Sequence, residues 1–559
     1  MPLTIKREAV LDAVATKLPE LFCFCSSAYG PHSILQFGNR SISSQEGVQQ
    51  GDPLGPLLFC LTIQPILSSL SSKLKVGYLD DITLGGHANA VNKDVSTIMS
   101  CGSDVGLHLN LSKCEIISPS SIPSELLLSS FTHIQPCEST LLGAPLLEGL
   151  AMDETLLKSC SDLAHAASRL SLISSHDALV LLKSCFSSSK ILHILRSSPC
   201  SGHPTLSRFD TILRQCVSHI TNISLSDTQW AQATLPVNAG GLGVRSASHL
   251  APSAFLSASF SSSHLQALIL SLPSVPLSHH EQSAITFWSN LSTVGTAPMP
   301  YPARQKIWDR AVVAAESARL LSNPADCARL LAVSAEHGSE WLHALPISSC
   351  GLRLSDEAVR VGVGLRLGAT LCSPHQCPCG SSVDCLGTHG LSCKKSGARI
   401  QRHNSLNDII HRALIRAGVP SIKEPPGLLR SDGKRPDGVT QIPWASGRCL
   451  VWDVTVVDTL APSYASLSSL SAGNAAERAA ANKVQKYSAL SPTHDFQPIA
   501  LETLGPFDPS ASLFLSQLGK RLTAVTGDTR ETSFLFQRLS VTVQRFNCIA
   551  FNDSSFCFY

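Results

Sequence analysis

Apolar residues recur at three- and four-residue spacing through Leu156, Cys160, Leu163, Ala167, Leu170 and Ile173, and again at Leu179 and Leu182. Such spacing lays one apolar stripe along a helix, so 150–220 is expected to be helical. The stretch from Arg304 through Leu331 to Trp341 reads the same way, giving a second helical part over 304–345. Between them, the Pro/Ser-rich residues 266–303 are expected to form a loop or linker. Residues 45–118 mix helical and strand-like runs. From Leu371 the texture changes, so a boundary is expected around 346–370. Val439 to Trp444 and Cys449 to Asp458 are strand-like runs on either side of Ala445-Ser446-Gly447-Arg448, the pattern of a hairpin. A helix-like run from Ala475 to Tyr487, a strand-like one from Ala500 to Gly505 and a helix from Phe534 to Arg545 follow. No repeat of fixed period is visible. The stretch Ala254 to Leu272 is broken by serines and a histidine, and no membrane span is expected.

Composition narrows the class. A chain of 559 residues, 43% hydrophobic and 15% charged, can bury several cores. The 20 cysteines are scattered rather than framed as in a small secreted module, which points to a reducing, nuclear or cytoplasmic location. Met1 to Ala15 carry Lys6, Arg7, Glu8 and Asp12 and lack the apolar core of a signal peptide. The net charge of +2 lends no bulk support to nucleic-acid binding, so local charge has to decide.

The segment Lys75 to Gly86 places Asp80 and Asp81 between apolar arms, as a hairpin with acids at its turn would. Adjacent carboxylates on a rigid turn repel each other and attract Mg2+ or Mn2+. An Asp-Asp pair is also common in surface turns, so its context matters. Upstream stands a Gly-rich loop, Gln45 to Phe59, with Gln50, Gly51, Asp52 and Pro53 before an apolar helical run. Downstream come Gly106 to Asn110 with Lys113, then Leu141 to Leu146, then Trp230 to Ala233 and Gly240 to Arg245. In this order the blocks resemble the palm and thumb of a reverse transcriptase of the non-LTR retrotransposon type. The resemblance implies that Asp80 and Asp81 hold magnesium, and that Gln50, Gly51, Asp52, Pro53 and Lys113 contact nucleotide or template. It also implies a third carboxylate on an upstream strand. Arg7 to Val14 looks like the helix that follows that strand, so the palm is expected to be N-terminally truncated. Asp12, in a helical pattern, is a poor substitute.

Cys377, Cys379, His389 and Cys393 are separated by one, nine and three residues. Two close pairs of soft ligands suit tetrahedral Zn2+. Free thiols are the bland alternative, and Cys372, His375 and Cys385 are close enough in sequence to substitute. The stretch resembles the CCHC knuckle of site-specific non-LTR elements. A basic segment follows, from Lys394 and Lys395 through Arg399, Arg402, Arg412 and Arg416 to Lys423, Arg430, Lys434 and Arg435. Only Asp408, Glu424 and Asp432 oppose it. Phosphate contact is its functional reading, a solvated helix face the bland one. His403 and His411 add charge at lower pH.

Pro436-Asp437 precedes the hairpin at 438–458, whose returning strand carries Asp453. Paired acids holding Mg2+ can activate water against a phosphodiester. The region resembles the restriction-enzyme-like endonuclease of the same elements, a PD-(D/E)xK fold. That pattern wants a lysine two residues after the second acid, where Thr455 stands. The resemblance moves the lysine to the following helix, with Lys483 preferred over Lys486.

Together these readings give an α+β multidomain protein: a partial reverse-transcriptase palm over 1–150, a helical thumb and linker over 151–350, a zinc-knuckle region over 351–400, and an α/β PD-(D/E)xK-like nuclease over 401–559. By resemblance it is an RNA-directed DNA polymerase plus endonuclease acting on DNA and RNA, with the polymerase inactive. The alternatives are a metal-dependent DNA endonuclease with a vestigial palm, and a non-catalytic nucleic-acid-binding relic.

Overall fold

The computed structural model describes residues 4–49, 51–118, 120–428, 433–490 and 492–555. The chain divides into two compact units, residues 1–152 with 260–278, and residues 153–259 with 279–559.

In the first unit, helices α1 (Arg7–Lys17) and α2 (Pro19–Tyr29) precede a hairpin of β1 (Ser33–Phe37) and β2 (Arg40–Ser44). Helix α3 (Gly55–Ser69) then leads into a second hairpin, β3 (Leu74–Tyr78) and β4 (Asp81–Gly85), and into α4 (Ala88–Asp104). The core joins Ile5, Val10, Val14, Cys25, Leu58, Phe59 and Ile63, so α1, α2 and α3 bury their apolar faces on one another. The entry to β3 is fixed by the buried Asp94 of α4. Its carboxylate accepts the Ser71 and Ser72 amides and hydroxyls at 2.6–2.9 Å, which holds its pKa down at about 2 despite burial.

The second unit begins with helices, as the spacing predicts for 150–220. Leu156, Cys160, Leu163, Leu170, Leu179 and Leu182 are all buried. Ile173 departs from the pattern. It lies in the turn after the helix Leu150–Leu170 and is 43% exposed. The expected linker is also corrected, because residues 266–303 hold helix α5 (His279–Ser292). Ala284, Trp288 and Ser292 are buried at four-residue spacing, and the Trp288 indole donates to the Trp308 carbonyl at 2.9 Å with the rings edge to face. A stripe of one alanine, one tryptophan and one serine is too sparse to be seen among the prolines and serines around it. Among the described residues, one stretch, Ser175–Ser197, is long and apolar enough to cross a membrane by length and composition. Its Ala178, Leu179, Leu182, Ile191 and Leu195 are buried within the unit, and 39% of the apolar window is buried.

The last part of this unit contains a four-stranded sheet. Helix α6 (Asp356–Leu367), buried along most of its length, is followed by α7 (Ala398–Arg416). Strands β5 (Ser421–Lys423), β6 (Gly438–Ala445), β7 (Arg448–Val457) and β8 (His494–Glu502) stand in that order. The β5–β6 and β6–β7 pairs are antiparallel, and β7–β8 is parallel. A parallel pair needs a crossover, here α8 (Asn474–Lys486). Helices α9 (Pro509–Thr526) and α10 (Glu531–Asp553) follow. The turn between β6 and β7 is Ser446-Gly447, both at positive φ (50° and 75°), the geometry that joins twisted strands in two residues. Strand β7 is buried on both faces. Leu450, Trp452 and Val454 join the core made with α7, α9 and α10, and the alternate residues face the α8 side.

Candidate metal and nucleic-acid sites

In the first unit, Asp80 and Asp81 are exposed at the tip of the β3–β4 hairpin, where Tyr78 pairs with Asp81 and Leu79 turns at φ 54°. Among the described residues no third carboxylate joins them: the one cluster of three or more possible metal ligands lies elsewhere. Asp12 is an exposed residue of α1. Gln50 lies outside the described residues. Gly51 takes φ 91°, and Asp52 is already engaged. Its Oδ2 accepts the Tyr29 hydroxyl and its Oδ1 the Leu54 amide at 2.9 Å, so this carboxylate fixes the entry to α3. Pro56, rather than Pro53, occupies the first turn of that helix. Lys113 ends an exposed 3₁₀ turn after Asn110.

In the second unit, Cys377, Cys379, His389 and Cys393 converge. Their ligand atoms all lie within 4.8 Å of one another. The Cys377 and Cys393 sulfurs are 3.6 Å apart, and Cys379 Sγ is 3.1 Å from His389 Nε2. A tetrahedral zinc with Zn–S bonds of ~2.3 Å sets its sulfurs about 3.8 Å apart. The donor set therefore fits that ion in chemistry and in size. Burial pushes the Cys377 thiol up, whereas hydrogen bonds from Ser381 hold Cys379 down at about 6, closer to the thiolate a metal requires. The sequence alternatives do not join: His375 Nε2 lies 3.0 Å from the Ser554 carbonyl, and Cys372 donates to the Asp384 carbonyl.

The third site is built on the sheet. Asp437 immediately precedes β6, and its amide donates to the Trp452 carbonyl at 3.1 Å, so Asp437 and Asp453 stand on neighbouring strands. Gly438 is required there, since a Cβ would meet the Trp452 indole at 2.1 Å. Asp437 Oδ2 accepts the Val454 amide at 2.6 Å, and Oδ1 lies 3.1 Å from His403 Nε2 of α7. Asn407, one turn further along α7, donates to the Asp437 carbonyl at 3.3 Å and accepts the Trp452 indole N–H at 2.8 Å. Asp453 is 3% exposed and ion-paired to Lys483 of α8. Helix α8 approaches closely because Ala476, Ala479 and Ala480 pack on Ala500 and Val457. Lys483 follows that alanine seam at i+4 from Ala479. Lys486 instead donates to the Tyr487 hydroxyl at 3.1 Å.

Burial first, then the charge of Asp437, raises the Asp453 pKa, and Lys483 opposes both. The contact with Asp437 raises that of His403. Asp437 and Asp453 lie in each other's field with Lys483 and His403 beside them, and two such carboxylates are hard oxygen donors suited to a dication.

Sequence reasoning noted His403 only as latent charge and missed Asn407. Their four-residue spacing puts them on one helix face, yet no local signal says what that face meets. Of the basic segment, Arg430 and Asp432 lie outside the described residues. Arg402 is buried, Arg412 and Lys423 pair with Asp408, Arg416 pairs with Glu531, and Arg435 pairs with Glu424.

Residues 11–146 match the family model described as reverse transcriptase (RNA-dependent DNA polymerase). A search of curated proteins gives no match. The matched segment spans both the Gly51–Pro53 loop and the Asp80–Asp81 hairpin, and it supports a reverse transcriptase-like protein that binds nucleic acid.

Proposed function

We propose that this chain is a retroelement protein of the site-specific non-LTR type whose second unit carries a divalent-metal-dependent DNA endonuclease and a structural zinc site. The observation that carries the nuclease reading is the convergence of Asp437, Asp453 and Lys483 from two strands and a crossover helix. A magnesium ion held by the two acids supplies Lewis-acid activation of water and of the phosphodiester. The chain's own residues do the rest. The Val454 amide and His403 orient Asp437, the buried face of β7 limits water around Asp453, and the Lys483 ammonium stands where negative charge develops on the phosphoryl oxygens. In this reading the palm is vestigial, because Asp80 and Asp81 have no third carboxylate beside them among the described residues. The test is nicking of duplex DNA by the full chain with Mg2+. Asp437→Ala and Asp453→Ala should each abolish it, and undiminished nicking by both variants would overturn the reading.

A further inference from the structure

The cysteine–histidine cluster and the acid pair share one helix. Near its start, the α7 region grips the cluster's backbone. Arg399 Nη1 donates to the Ser392 carbonyl and Arg402 Nη2 to the Leu391 carbonyl, each at 3.3 Å, while Lys395, just before the helix, donates from Nζ to the Pro378 carbonyl at 3.2 Å. All three acceptors lie between or beside the four ligands. One to two turns later the same helix holds Asp437 through His403 and Asn407. Arg402 is 2% exposed and also donates to Asn547 Oδ1 at 2.8 Å, which locks the helix against α10. A continuous helix of 19 residues transmits a displacement of its first turn to its third, since its own hydrogen bonds resist bending there.

We infer that metal binding at Cys377, Cys379, His389 and Cys393 positions α7 and thereby sets the divalent-metal affinity of the Asp437–Asp453 pair. The two sites are then positively coupled, and Arg399, Arg402, His403 and Asn407 are positioning residues that link them. The inference rests on the zinc and nuclease readings given above. Loss of the ion removes the bonds that tie the four ligand side chains to one another and leaves the loop to its weaker contacts, so the carbonyls gripped by Arg399 and Arg402 shift when the ion leaves. The displacement reaches Asp437 through His403.

The test is Mn2+ binding to the full chain, read by electron paramagnetic resonance without any turnover. The acid-pair site is defined as the Mn2+ binding lost in Asp453→Asn. Removing zinc with a chelator should raise the half-saturating Mn2+ concentration of that site by ~10-fold or more, as loss of outer-shell support does. His403→Gln with zinc in place should weaken Mn2+ binding and leave the zinc content unchanged. Linkage gives a second measurement that needs no stable zinc-free protein. In zinc buffers, Mn2+ should tighten zinc binding by the same factor in the wild type, and not in Asp453→Asn. If Asp453→Asn leaves Mn2+ binding intact, the nuclease reading itself falls. If Asp453→Asn removes the site while zinc removal and added Mn2+ leave the other ion's affinity unchanged, that reading stands and the coupling is overturned.

Discussion

Lys483 closes an ion pair with Asp453 from 30 residues further along the chain, across the helix that joins two parallel strands. The pair puts a cation beside a buried carboxylate whose burial and whose neighbour Asp437 both favour the protonated form. Lys483→Met should therefore lower the rate of Mg2+-dependent nicking by ~10²-fold or more. It should also move the acid limb of the pH–rate profile to higher pH, because Asp453 loses the charge that keeps it ionised. An unchanged limb would show that Lys483 does not govern Asp453.

The cysteine–histidine cluster should bind about one zinc per chain. Cys379→Ser should remove it, as measured by zinc release to a colorimetric chelator, and should lower the thermal midpoint of the second unit. A full zinc complement in Cys379→Ser would contradict the assignment of the four ligands.

His176 is 1% exposed, and its Nδ1 accepts the Leu354 amide at 3.1 Å, which requires a neutral ring. Burial depresses its pKa to about 4 from the ordinary 6.5. Below 6.5 the unfolded chain binds a proton that the folded one refuses. Stability should fall as the pH drops from 6.5 towards 4, by up to about 3 kcal/mol, and this contribution should level off below that. Urea unfolding across this window tests it. His176→Asn keeps an acceptor and should flatten this part of the slope; an equal slope in both proteins would exclude His176 as its source.

Primer extension on an RNA template should give no template-dependent product with Mg2+ or Mn2+, because two carboxylates at the β3–β4 turn offer a weak site for the ions of phosphoryl transfer. Synthesis that Asp80→Ala and Asp81→Ala abolish would overturn the vestigial reading of the palm.

The elements most legible in the sequence were those written in short-range chemistry. Ser446-Gly447 announces the β6–β7 turn, and the run from Cys449 to Asp458 announces the strand that carries Asp453. The 3.6-residue stripe through Leu156, Cys160, Leu163 and Leu170 announces a helix and its buried face. What stayed hidden depends on partners distant in sequence. Helix α5 draws its burial from Trp288 meeting Trp308, in a later helix. The Tyr29 hydroxyl that Asp52 accepts comes from a helix 23 residues earlier, a partner no local pattern announces. Asn407 is an ordinary polar helix residue until the Trp452 indole and the Asp437 backbone arrive beside it.

The order of strands around the acid pair also bears on how the site is assembled. The hairpin closes Asp437 onto Val454 over 17 residues and needs only its own two-residue turn. The lysine is brought by α8, the crossover between β7 and its parallel partner β8, and so depends on contacts distant in sequence. The repulsion between Asp437 and Asp453 opposes the hairpin and is relieved by the lysine of the crossover helix. The Lys483–Asp453 pair thereby links the docking of α8 to the ionisation of an aspartate on another element.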